Sequence, residues 1–409
     1  MLRKTCRVCA KALSPFMSFG KMPLANAFTK PEHLKDEYFF ELAPGFCTSC
    51  FTFQLMEQPD PSHMFHDHYA FFSGTSQHMA RHFEAMANDL RTFLTDQKDP
   101  LVVELGSNDG IMLQHFARLG VRHVGIEPSE NVAQVARDKG IQTVCAFFNP
   151  QTAEDIRKQH GPAQVISAAN VMCHIPDMQG VAKAVDHLLA KEGVFVFEDP
   201  YLGSMIEKTS YDQLYDAHVY IFSIHAVHHI FASVGLTLFH VEPQPTHGGS
   251  MRYYLCRTGQ HPRRETVDHY LHREKEQGLT SLATFRQFRQ ACEQNRADFR
   301  SMLQAFQSQG KRVVGYAAAA KSTTVLNYCD IGPDLIEYIA DTTPIKQGTV
   351  TPGMHIPVRS FEGFYDNPPD VAVLFAWNHA KEIFAKEKHF LERGGQWLLF
   401  RPHVHKLTA

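Results

Sequence analysis

The stretch LVVELGSNDG, residues 101–110, decides the fold of the central part of the chain. Its mainly apolar first half, 101–105, predicts a buried strand, and residues 111–119 predict the helix that follows. The loop between them contains Gly106 and Gly110, and glycine allows the tight turn that brings backbone N–H groups close to a ligand at a helix N-terminus. The stretch therefore predicts a strand–loop–helix unit that holds a nucleotide-type cofactor.

Strands and helices alternate after this unit. We predict strands at 121–127, 165–169 and 194–198, and a helix at 178–190 between the last two. Such alternation is typical of a mostly parallel sheet covered by helices. The fold class predicted for the centre of the chain is therefore α/β and Rossmann-like.

The spacing of the glycines indicates which cofactor the loop binds. A dinucleotide fold has the pattern G-x-G-x-x-G, whereas this loop reads E-x-G-x-x-x-G. The acidic residue Glu127, 21 positions after Gly106, can accept hydrogen bonds from ribose hydroxyls. The loop resembles that of class I S-adenosylmethionine-dependent methyltransferases, and the residues expected to bind this cofactor are Glu104, Gly106, Ser107, Asn108, Gly110, Glu127, Pro128, Asn170 and Val171. A Rossmann-like domain without a cofactor is the alternative.

Two Cys-x-x-Cys pairs precede the strand–loop–helix unit. The first is Cys6 and Cys9, and the second is Cys47 and Cys50. Zinc takes four tetrahedral ligands, and each such turn presents two thiolates to one metal, so the pairs predict a closed, structural zinc site in a module of residues 1–68. The alternative, two redox motifs, would need a βαβ context that neither turn has. We interpret the other five cysteines as small buried hydrophobes: Cys145, Cys173, Cys256, Cys292 and Cys329.

The composition is that of a globular protein with more than one domain. The chain has 409 residues, 44% apolar and 20% charged, with a formal net charge of -3. This charge gives no general reason to bind nucleic acid or a membrane. No apolar run approaches the roughly 20 residues that cross a bilayer, and the N-terminus lacks the apolar core of a signal peptide. We therefore expect a cytoplasmic protein without a membrane partner and, because no long apolar seam is evident, a monomer.

A tyrosine and a histidine in the segment YDAH, residues 215–218, are candidates for catalysis. Tyr215 and His218 are three positions apart, so on a helical turn they would share a face. Histidine exchanges a proton near neutral pH, and a tyrosine hydroxyl can donate to a developing oxyanion. Methylation of a carbon beside a ketone needs both functions, to remove the α-proton and to hold the enolate. A packed aromatic stripe is the alternative for this pair.

The last third of the chain predicts a second Rossmann-like α/β domain. Residues 260–310 predict a bridging pair of helices, and further strands and a helix are predicted at 312–316, 322–328, 336–340 and 371–376. The central domain is then 69–258 and the C-terminal domain 259–409. Lys321, at the start of a predicted helix, could bind a phosphate of the substrate, and the alternative is that it is only solvated.

Several motifs follow one another in a fixed order along nearly the whole chain. They are the four cysteines, MPLAN at 22–26, YAFFSGTS at 69–76, the glycine loop, YDAH at 215–218, HGGSMR at 247–252, Gly315-Tyr316 with Lys321, and Asp341 with Lys346, Gly348, Pro352 and Gly353. With these motifs the chain resembles the sugar-nucleotide C-methyltransferases of deoxysugar biosynthesis, in particular those that methylate carbon 3 of a dTDP-4-keto-hexose.

The resemblance implies roles for individual residues. His218 would remove the proton at carbon 3, and Tyr215 would lie beside the keto oxygen of the sugar. Tyr69 and His174 would line the pocket between sugar and cofactor. Substrate contacts are expected from Tyr69, Phe72, Ser73, His247, Gly248, Lys321 and Asn378. The resemblance also implies a structural zinc ion, S-adenosylmethionine as cofactor and a dTDP-keto-hexose as substrate.

One position departs from the family pattern. Members typically carry Glu directly before the histidine, as Tyr-x-Glu-His, whereas this chain has Ala217. A carboxylate there could orient the imidazole or stabilise its protonated form. We predict reduced, not abolished, turnover relative to an Ala217→Glu variant.

Two other functions are compatible with parts of this pattern. One is methylation at another ring carbon, or of a GDP-linked keto-sugar. The other, of a different class, is a zinc-ribbon protein that binds nucleic acid or a protein partner. The basic residues near the cysteines, such as Lys11, Lys21 and Lys30, form no dense stripe, which disfavours nucleic acid.

Overall fold

The computed structural model describes residues 2–60, 77–94 and 98–408. The N-terminal module consists of short strands: β1 (Ser14–Pro15), β2 (Lys21–Pro23), β3 (Phe39–Glu41), β4 (Pro44–Phe46) and β5 (Phe53–Leu55). β2 pairs with β3, while β1, β4 and β5 lie side by side in a second sheet. Strands this short bury little apolar area, so the module depends on its cysteine cluster and its neighbours for stability.

The central domain is the α/β domain that the alternating pattern predicted. Its elements are α1 (Gln77–Arg91), β6 (Leu101–Leu105), α2 (Leu113–Ala117), β7 (Arg122–Ile126), α3 (Glu130–Asp138), β8 (Thr143–Val144), α4 (Pro150–His160), β9 (Ala163–Ala169), α5 (Met178–Leu188), β10 (Leu189–Pro200), α6 (Leu202–Glu207), β11 (Tyr220–Ile221), α7 (Ile224–Ala232), β12 (Leu236–Gln244) and β13 (Ser250–Arg257). Seven of these strands form one sheet in the order β8-β7-β6-β9-β10-β13-β12, with only β13 antiparallel to its neighbours.

The order of the strands places a binding crevice beside β6. Every residue of β6 is buried, as expected for a strand covered on both faces. The chain runs outward from β6 to β8 on one side and from β9 onward on the other, so the order reverses between β6 and β9. Ligands of open α/β sheets bind at the carboxyl ends of the strands at such a reversal.

The C-terminal domain is a second α/β layer. Its elements are α8 (Glu265–Glu276), α9 (Leu282–Ser308), β14 (Val313–Tyr316), α10 (Ala320–Cys329), β15 (Ile339–Ala340), β16 (Val358–Arg359), α11 (Glu362–Asp366), β17 (Val371–Leu374), α12 (Ala380–Lys386), α13 (Lys388–Glu392), β18 (Gln396–Leu399) and β19 (His405–Leu407). The sheet order is β16-β15-β14-β17-β18-β19, and all pairs are parallel except β18 with β19. The predicted second Rossmann-like domain is thus confirmed.

Helix α9 joins the N-terminal module to the C-terminal sheet. Near its start the Phe285 ring lies 4.3 Å from that of Phe46 and 5.4 Å from that of Phe16, measured between centroids. Two and a half turns before its end the Phe299 ring lies 5.5 Å from that of Phe400, at the end of the C-terminal sheet. Buried aromatic residues along one face of α9 therefore connect two modules, as the prediction of a bridging helix pair required.

Some local predictions differ from the structure. The helix predicted at 178–190 ends at Leu188, and the strand predicted at 194–198 is part of the longer Leu189–Pro200. The helix predicted at 111–119 is shortened to Leu113–Ala117, because the preceding residues form turns. The strand predicted at 336–340 keeps only Ile339–Ala340. Cys145 is exposed, whereas the other four scattered cysteines are buried as predicted. Among the described residues, no helix combines the length and apolar character that crossing a membrane requires.

Candidate active site and metal centre

The four N-terminal cysteines come together as one cluster. Cys6 Sγ lies 3.5 Å from Cys50 Sγ, Cys9 Sγ lies 3.5 Å from Cys47 Sγ, and all four sulfurs lie within 4.8 Å of one another. A zinc ion about 2.3 Å from each of four tetrahedral sulfurs needs them about 3.8 Å apart. The cluster therefore fits a zinc ion with no ligand position left for substrate, which makes its role structural.

Groups around Cys6 favour its thiolate form. Cys6 Sγ accepts hydrogen bonds from the Val8 N–H (3.3 Å) and from Gln54 Nε2 (3.0 Å). The neighbouring Cys50 thiol and these donors lower the pKa of Cys6 to about 5, although burial opposes the shift. Because the metal ligand is the thiolate, these donors prepare Cys6 to bind a cation.

The predicted cofactor loop adopts the backbone that its glycines allow. Gly106, Asn108 and Gly110 all have positive φ, at 61°, 48° and 77°. A Cβ on Gly106 would lie 2.3 Å from Cγ2 of Val171, another residue predicted to bind the cofactor. This position therefore has no room for a side chain, and the loop lies against the carboxyl end of β9.

Acidic groups surround the loop. The Glu127 carboxylate accepts hydrogen bonds from the N–H groups of Asn108 (3.0 Å) and Ser129 (2.9 Å), and each oxygen keeps a lone pair for a hydroxyl donor. Burial, with the charges of Glu127 and Asp109, raises the pKa of Glu104 well above its usual range, and burial also raises that of Glu127. Carboxyl groups crowded in this way favour a cationic ligand, as S-adenosylmethionine is. Of the other residues predicted to bind the cofactor, Ser107 lies in the loop after β6 and Pro128 in the loop after β7.

The carboxyl end of β9 connects the cofactor loop to the candidate catalytic residues. Asn170 has a positive φ of 57°, and its N–H donates to the Glu198 carbonyl at 2.7 Å. Val171, next in the chain, packs against Gly106, and His174 ends the short helical turn that follows. The His174 ring stacks on that of His218, with centroids 5.3 Å apart and planes inclined by 23°.

Tyr215 and His218, which their spacing predicted to share a face, also form a hydrogen-bonded pair. The His218 N–H donates to the Tyr215 carbonyl in a turn, and the Tyr215 hydroxyl lies 2.7 Å from His218 Nε2. His218 Nδ1 lies 2.7 Å from the Gln213 carbonyl oxygen. Since a carbonyl only accepts, Nδ1 carries the proton and Nε2 of the neutral ring presents its lone pair to the hydroxyl. The interpretation as a merely packed aromatic stripe does not account for this pairing.

Burial keeps both histidines neutral. It holds the pKa of His218 well below its usual range, with the nearby His174 as the next cause, although the bond to Gln213 opposes the shift. Burial also lowers the pKa of His174 to about 4. The Cys173 thiol and both imidazoles bring ligand atoms within 4.8 Å of one another, but both His218 nitrogens already have partners. The arrangement therefore suits proton transfer better than metal binding.

Lys321 lies in the site and is not a solvated surface residue. Only 9% of it is exposed, and its Nζ donates to the His247 carbonyl at 3.3 Å. Burial lowers the pKa of Lys321 to about 8, although the charge of Asp212 opposes the shift. The ammonium lies 5.8 Å from the centre of the Trp377 ring. A buried cation at the start of a ten-residue helix is a good partner for a phosphate group.

The predicted substrate residues His247, Gly248 and Asn378 lie near Lys321. His247 has a positive φ of 52°, and a Cβ on Gly248 would lie 2.2 Å from the Trp377 ring. Asn378 follows Trp377 in the same short helical turn. Tyr69, Phe72 and Ser73 lie outside the described residues.

Three groups of the site carried no usable signal in the sequence. The Gln213 carbonyl that orients His218 is a backbone atom, and the contact of Asp212 with Arg401 joins residues 189 positions apart. Asp212 also accepts a hydrogen bond from Trp377 Nε1 at 2.7 Å. Such long-range contacts have no periodicity from which they could be predicted.

A fourth group, Glu198, did have a signal, since it is an acid at the end of a predicted strand. Its carboxylate accepts hydrogen bonds from His82 Nε2 (2.9 Å), Thr246 Oγ1 (2.8 Å) and Arg252 Nε (3.1 Å). Burial would raise the pKa of Glu198, but His82, Arg252 and Thr246 together lower it to about 2. The ionised carboxylate fixes helix α1 to the end of β10 beside the crevice.

Comparison with known proteins identifies three consecutive regions. Residues 6–65 match a family model of a zinc-binding domain, residues 78–241 one of a methyltransferase domain, and residues 245–402 one of a C-methyltransferase C-terminal domain. The C-methyltransferase NovU of Streptomyces niveus is 34% identical over 410 residues, which cover 99% of this chain and 97% of that protein. A ubiquinone biosynthesis O-methyltransferase of Shewanella sp. strain ANA-3 is 32% identical over 98 residues, covering 24% of this chain and 41% of that protein.

Two solved methyltransferase structures each align with less than half of this chain. The alignment with magnesium protoporphyrin IX methyltransferase (ChlM) from Synechocystis PCC 6803, solved with bound SAM, covers 44% of this chain and 81% of that protein. The identity is 13% and the TM-score is 0.33. The alignment with a SAM-dependent methyltransferase from Anabaena variabilis covers 42% of this chain and 84% of that protein, at 17% identity and a TM-score of 0.34.

Proposed function

Because the chain belongs to the C-methyltransferase family, as its full-length relationship to NovU shows, we propose that its substrate is a dTDP-linked 4-keto-deoxysugar methylated at carbon 3. The chain is an S-adenosylmethionine-dependent C-methyltransferase with a zinc-binding module. Two sequence expectations belong to this proposal, a cytoplasmic location and a monomeric state, which cell fractionation and light scattering would check.

The single observation that supports this function most is the Tyr215–His218 pair beside the cofactor loop. A neutral imidazole with its proton fixed on Nδ1 is a base at Nε2, and the hydroxyl at 2.7 Å is a donor of the kind an enolate oxygen needs. Through His174 the pair connects to Val171, which touches Gly106 of the cofactor loop. Consecutive contacts therefore link the proposed base and the proposed oxyanion donor to the predicted cofactor loop.

The residues then act in a fixed order. Tyr215 first releases His218 Nε2 and donates instead to the keto oxygen. His218 takes the proton from carbon 3, and the electron pair of that bond moves toward the oxygen to give the enolate. S-adenosylmethionine, when bound, supplies an electrophilic methyl group whose bond to sulfur breaks as the carbon–carbon bond forms. His218 afterwards gives its proton to solvent.

The second half of the proposal concerns the diphosphate of the sugar nucleotide. Lys321, buried beside His247 and Trp377, offers a cation that donates to the His247 carbonyl oxygen at 3.3 Å. A diphosphate would supply charged acceptors to this ammonium and to the N-terminus of α10. Lys321 thus supports a nucleotide-linked substrate in preference to a free sugar.

Methyl transfer to dTDP-4-keto-2,6-dideoxyglucose tests the proposal. The product is followed by mass spectrometry, and the methylated carbon is identified by NMR. In D2O without S-adenosylmethionine, His218 should exchange the proton at carbon 3 for deuterium, which tests the base separately from the transfer. We expect His218→Asn to lower both rates by about 10²–10⁴-fold, whereas His229→Asn, an exposed histidine of α7, should leave both unchanged.

Each alternative has its own outcome. Methyl gain at another ring carbon, or only with a GDP-linked keto-sugar, would replace the proposed substrate and keep the reaction class. Deuterium exchange that persists in His218→Asn would remove His218 as the base. Binding of nucleic acid without any methyl transfer would favour the zinc-ribbon alternative.

A further inference from the structure

The chain leaves the central domain immediately after His218. Strand β11, which starts two residues later, is absent from the seven-stranded sheet and forms the edge of the N-terminal sheet, in the order β1-β4-β5-β11. Tyr220 pairs with Gln54 and Ile221 with Phe53, and the Leu55 N–H donates to the Val219 carbonyl at 2.8 Å. Strand β5 of the cysteine-bearing module therefore fixes the backbone next to the candidate base.

Gln54, the middle residue of β5, connects that strand to the cysteine cluster. Its side chain is fully buried, its Nε2 donates to Cys6 Sγ at 3.0 Å, and its Oε1 accepts from the Arg7 N–H at 2.9 Å. One amide thus holds both a cysteine sulfur and the backbone of the first Cys-x-x-Cys turn. Its own backbone lies opposite Tyr220 of β11.

The second histidine of the site is tied to the same strand. The Tyr220 hydroxyl donates to the Pro176 carbonyl at 2.9 Å, two residues after His174. Gln179, on the following helix α5, donates from Nε2 to the Val8 carbonyl in the first Cys-x-x-Cys turn at 3.0 Å. The loops that bear His174 and His218 are therefore both fastened to the N-terminal module.

We propose that Gln54 is a positioning residue, through which the zinc cluster holds strand β11 and hence the catalytic His218 in register with the methyltransferase domain. This inference rests on the proposed role of His218 and deepens it, since it gives the zinc module a part in catalysis beyond stabilising its own fold. A misplacement of about 1 Å can lower a rate by about 10²-fold, so a loose β11 lowers turnover without touching the cofactor loop.

The test compares two variants of the full-length zinc-loaded protein. Gln54→Met keeps the volume and removes the amide. Thr52→Val is the matched control, because the Thr52 hydroxyl also contacts a cysteine sulfur, Cys50 Sγ at 3.1 Å, but Thr52 precedes β5 and has no partner in β11. Zinc content, S-adenosylmethionine affinity, kcat and KM, and hydrogen exchange of the 215–222 backbone are measured for each.

We expect Gln54→Met to keep one zinc ion per chain and an S-adenosylmethionine Kd within about threefold, because the four cysteines and the cofactor loop are intact. Its kcat should fall by about 10- to 100-fold, and amides at 215–222 should exchange faster while those of β6 do not. Thr52→Val should stay within about threefold of the unaltered protein in kcat and show unaltered exchange at 215–222.

Equal losses in both variants, or an unaltered exchange rate and kcat in Gln54→Met, would overturn the inference. If Gln54→Met does not fold, gradual chelation of zinc from the unaltered protein replaces it. Protection at 215–222 must then be lost before affinity for S-adenosylmethionine, and the reverse order overturns the inference. The exchange measurements need no sugar substrate, so failure of the proposed methyl transfer is distinguishable from failure of the positioning role.

Discussion

At the scale of single residues, the proposed base His218 is held by two hydrogen-bond partners, one of which occupies its Nε2. Both nitrogens of His218 are hydrogen-bonded, one to the Gln213 carbonyl and one to the Tyr215 hydroxyl. Because burial keeps the pKa of His218 well below its usual range, the imidazole stays neutral at physiological pH and is ready to accept a proton. Substrate entry then only has to move one hydroxyl.

The pH dependence of substrate capture should follow Lys321. Its pKa, lowered to about 8 by burial, means that the cation is present below pH 8 and is lost as the pH rises through that value. We expect kcat/KM for the sugar nucleotide to fall about tenfold per pH unit above this point. Lys321→Arg should remove this alkaline decline because arginine stays protonated, whereas Lys381→Arg, at an exposed position of α12, should retain it. The same decline in all three proteins would exclude Lys321 as its cause.

The Ala217→Glu substitution should raise turnover only modestly. Ala217 is 9% exposed, and the orientation that a carboxylate could provide to His218 is already supplied by the Gln213 carbonyl. What glutamate adds is a charge beside the transient imidazolium, so we expect a gain of less than about tenfold, equivalent to about 1.4 kcal/mol. Initial rates at saturating substrate measure this, with Ala217→Gln as the control for size. Equal rates for all three proteins would remove any role for the acid.

At the scale of elements, the turn between β6 and α2 needs Gly106 for two reasons. Its φ is positive, and there is no room for a side chain at this position. Gly106 and Gly120 both have positive φ, at 61° and 68°, but a Cβ on Gly106 would lie 2.3 Å from Val171, whereas one on Gly120 would meet nothing within 4 Å. The positive φ alone should make alanine cost about 1–2 kcal/mol of folding free energy at either site, and the clash with Val171 should add to that cost at Gly106. Only Gly106→Ala should also raise the Kd for S-adenosylmethionine, by more than about tenfold in calorimetric titration. An equal effect on Kd at both sites would contradict a specific cofactor role for the β6–α2 loop.

The elements that could be predicted are those with a long, regular pattern. Strand β6, helix α5 and the bridging helix α9 have continuous or periodic apolar residues, so local sequence determines them. Strand β11 could not be predicted, because two residues have no period and its partner β5 lies more than 160 positions earlier. The spacing of Tyr215 and His218 is local and predicted that they share a face, but not their hydrogen bond to each other. The Gln213 carbonyl that accepts from His218 is a backbone atom and gives no signal in the sequence.

At the scale of the whole molecule, the turn at residues 215–218 brings the N-terminal module and the C-terminal domain together with the central domain. The Ala25 N–H of the N-terminal module donates to Asp216 Oδ1 at 2.8 Å, and the Ala25 carbonyl accepts from Thr323 Oγ1 of helix α10 at 2.8 Å. Burial raises the pKa of Asp216 to about 6. The turn that carries His218 is thus held by the zinc module on one side and by the C-terminal domain behind it, which explains why the site needs nearly the whole chain.

The strongest connection between the central and C-terminal domains should be the buried pair of Asp212 and Arg401. Asp212 Oδ1 lies 2.7 Å from Arg401 Nη2, both side chains are almost fully buried, and Trp377 Nε1 donates to the other oxygen of the carboxylate at 2.7 Å. Removing one partner leaves a buried charge uncompensated, so Asp212→Asn and Arg401→Met should each cost about 3–5 kcal/mol. The double variant should cost less than the sum of the two, because the second substitution removes a charge already without its partner.

Chemical unfolding followed by tryptophan fluorescence measures these losses of folding free energy in the C-terminal domain. Both tryptophans of the chain, Trp377 and Trp397, belong to the C-terminal domain, so the signal reports on that domain. Arg289→Met is the control, since its pair with Glu293 is half exposed on helix α9 and should contribute less than about 1 kcal/mol. Each buried single variant should also lower kcat, because Asp212 adjoins Gln213, whose carbonyl orients His218. Strictly additive losses, with kcat unaltered, would mean that the pair stabilises the domains independently and that the C-terminal domain does not support the base.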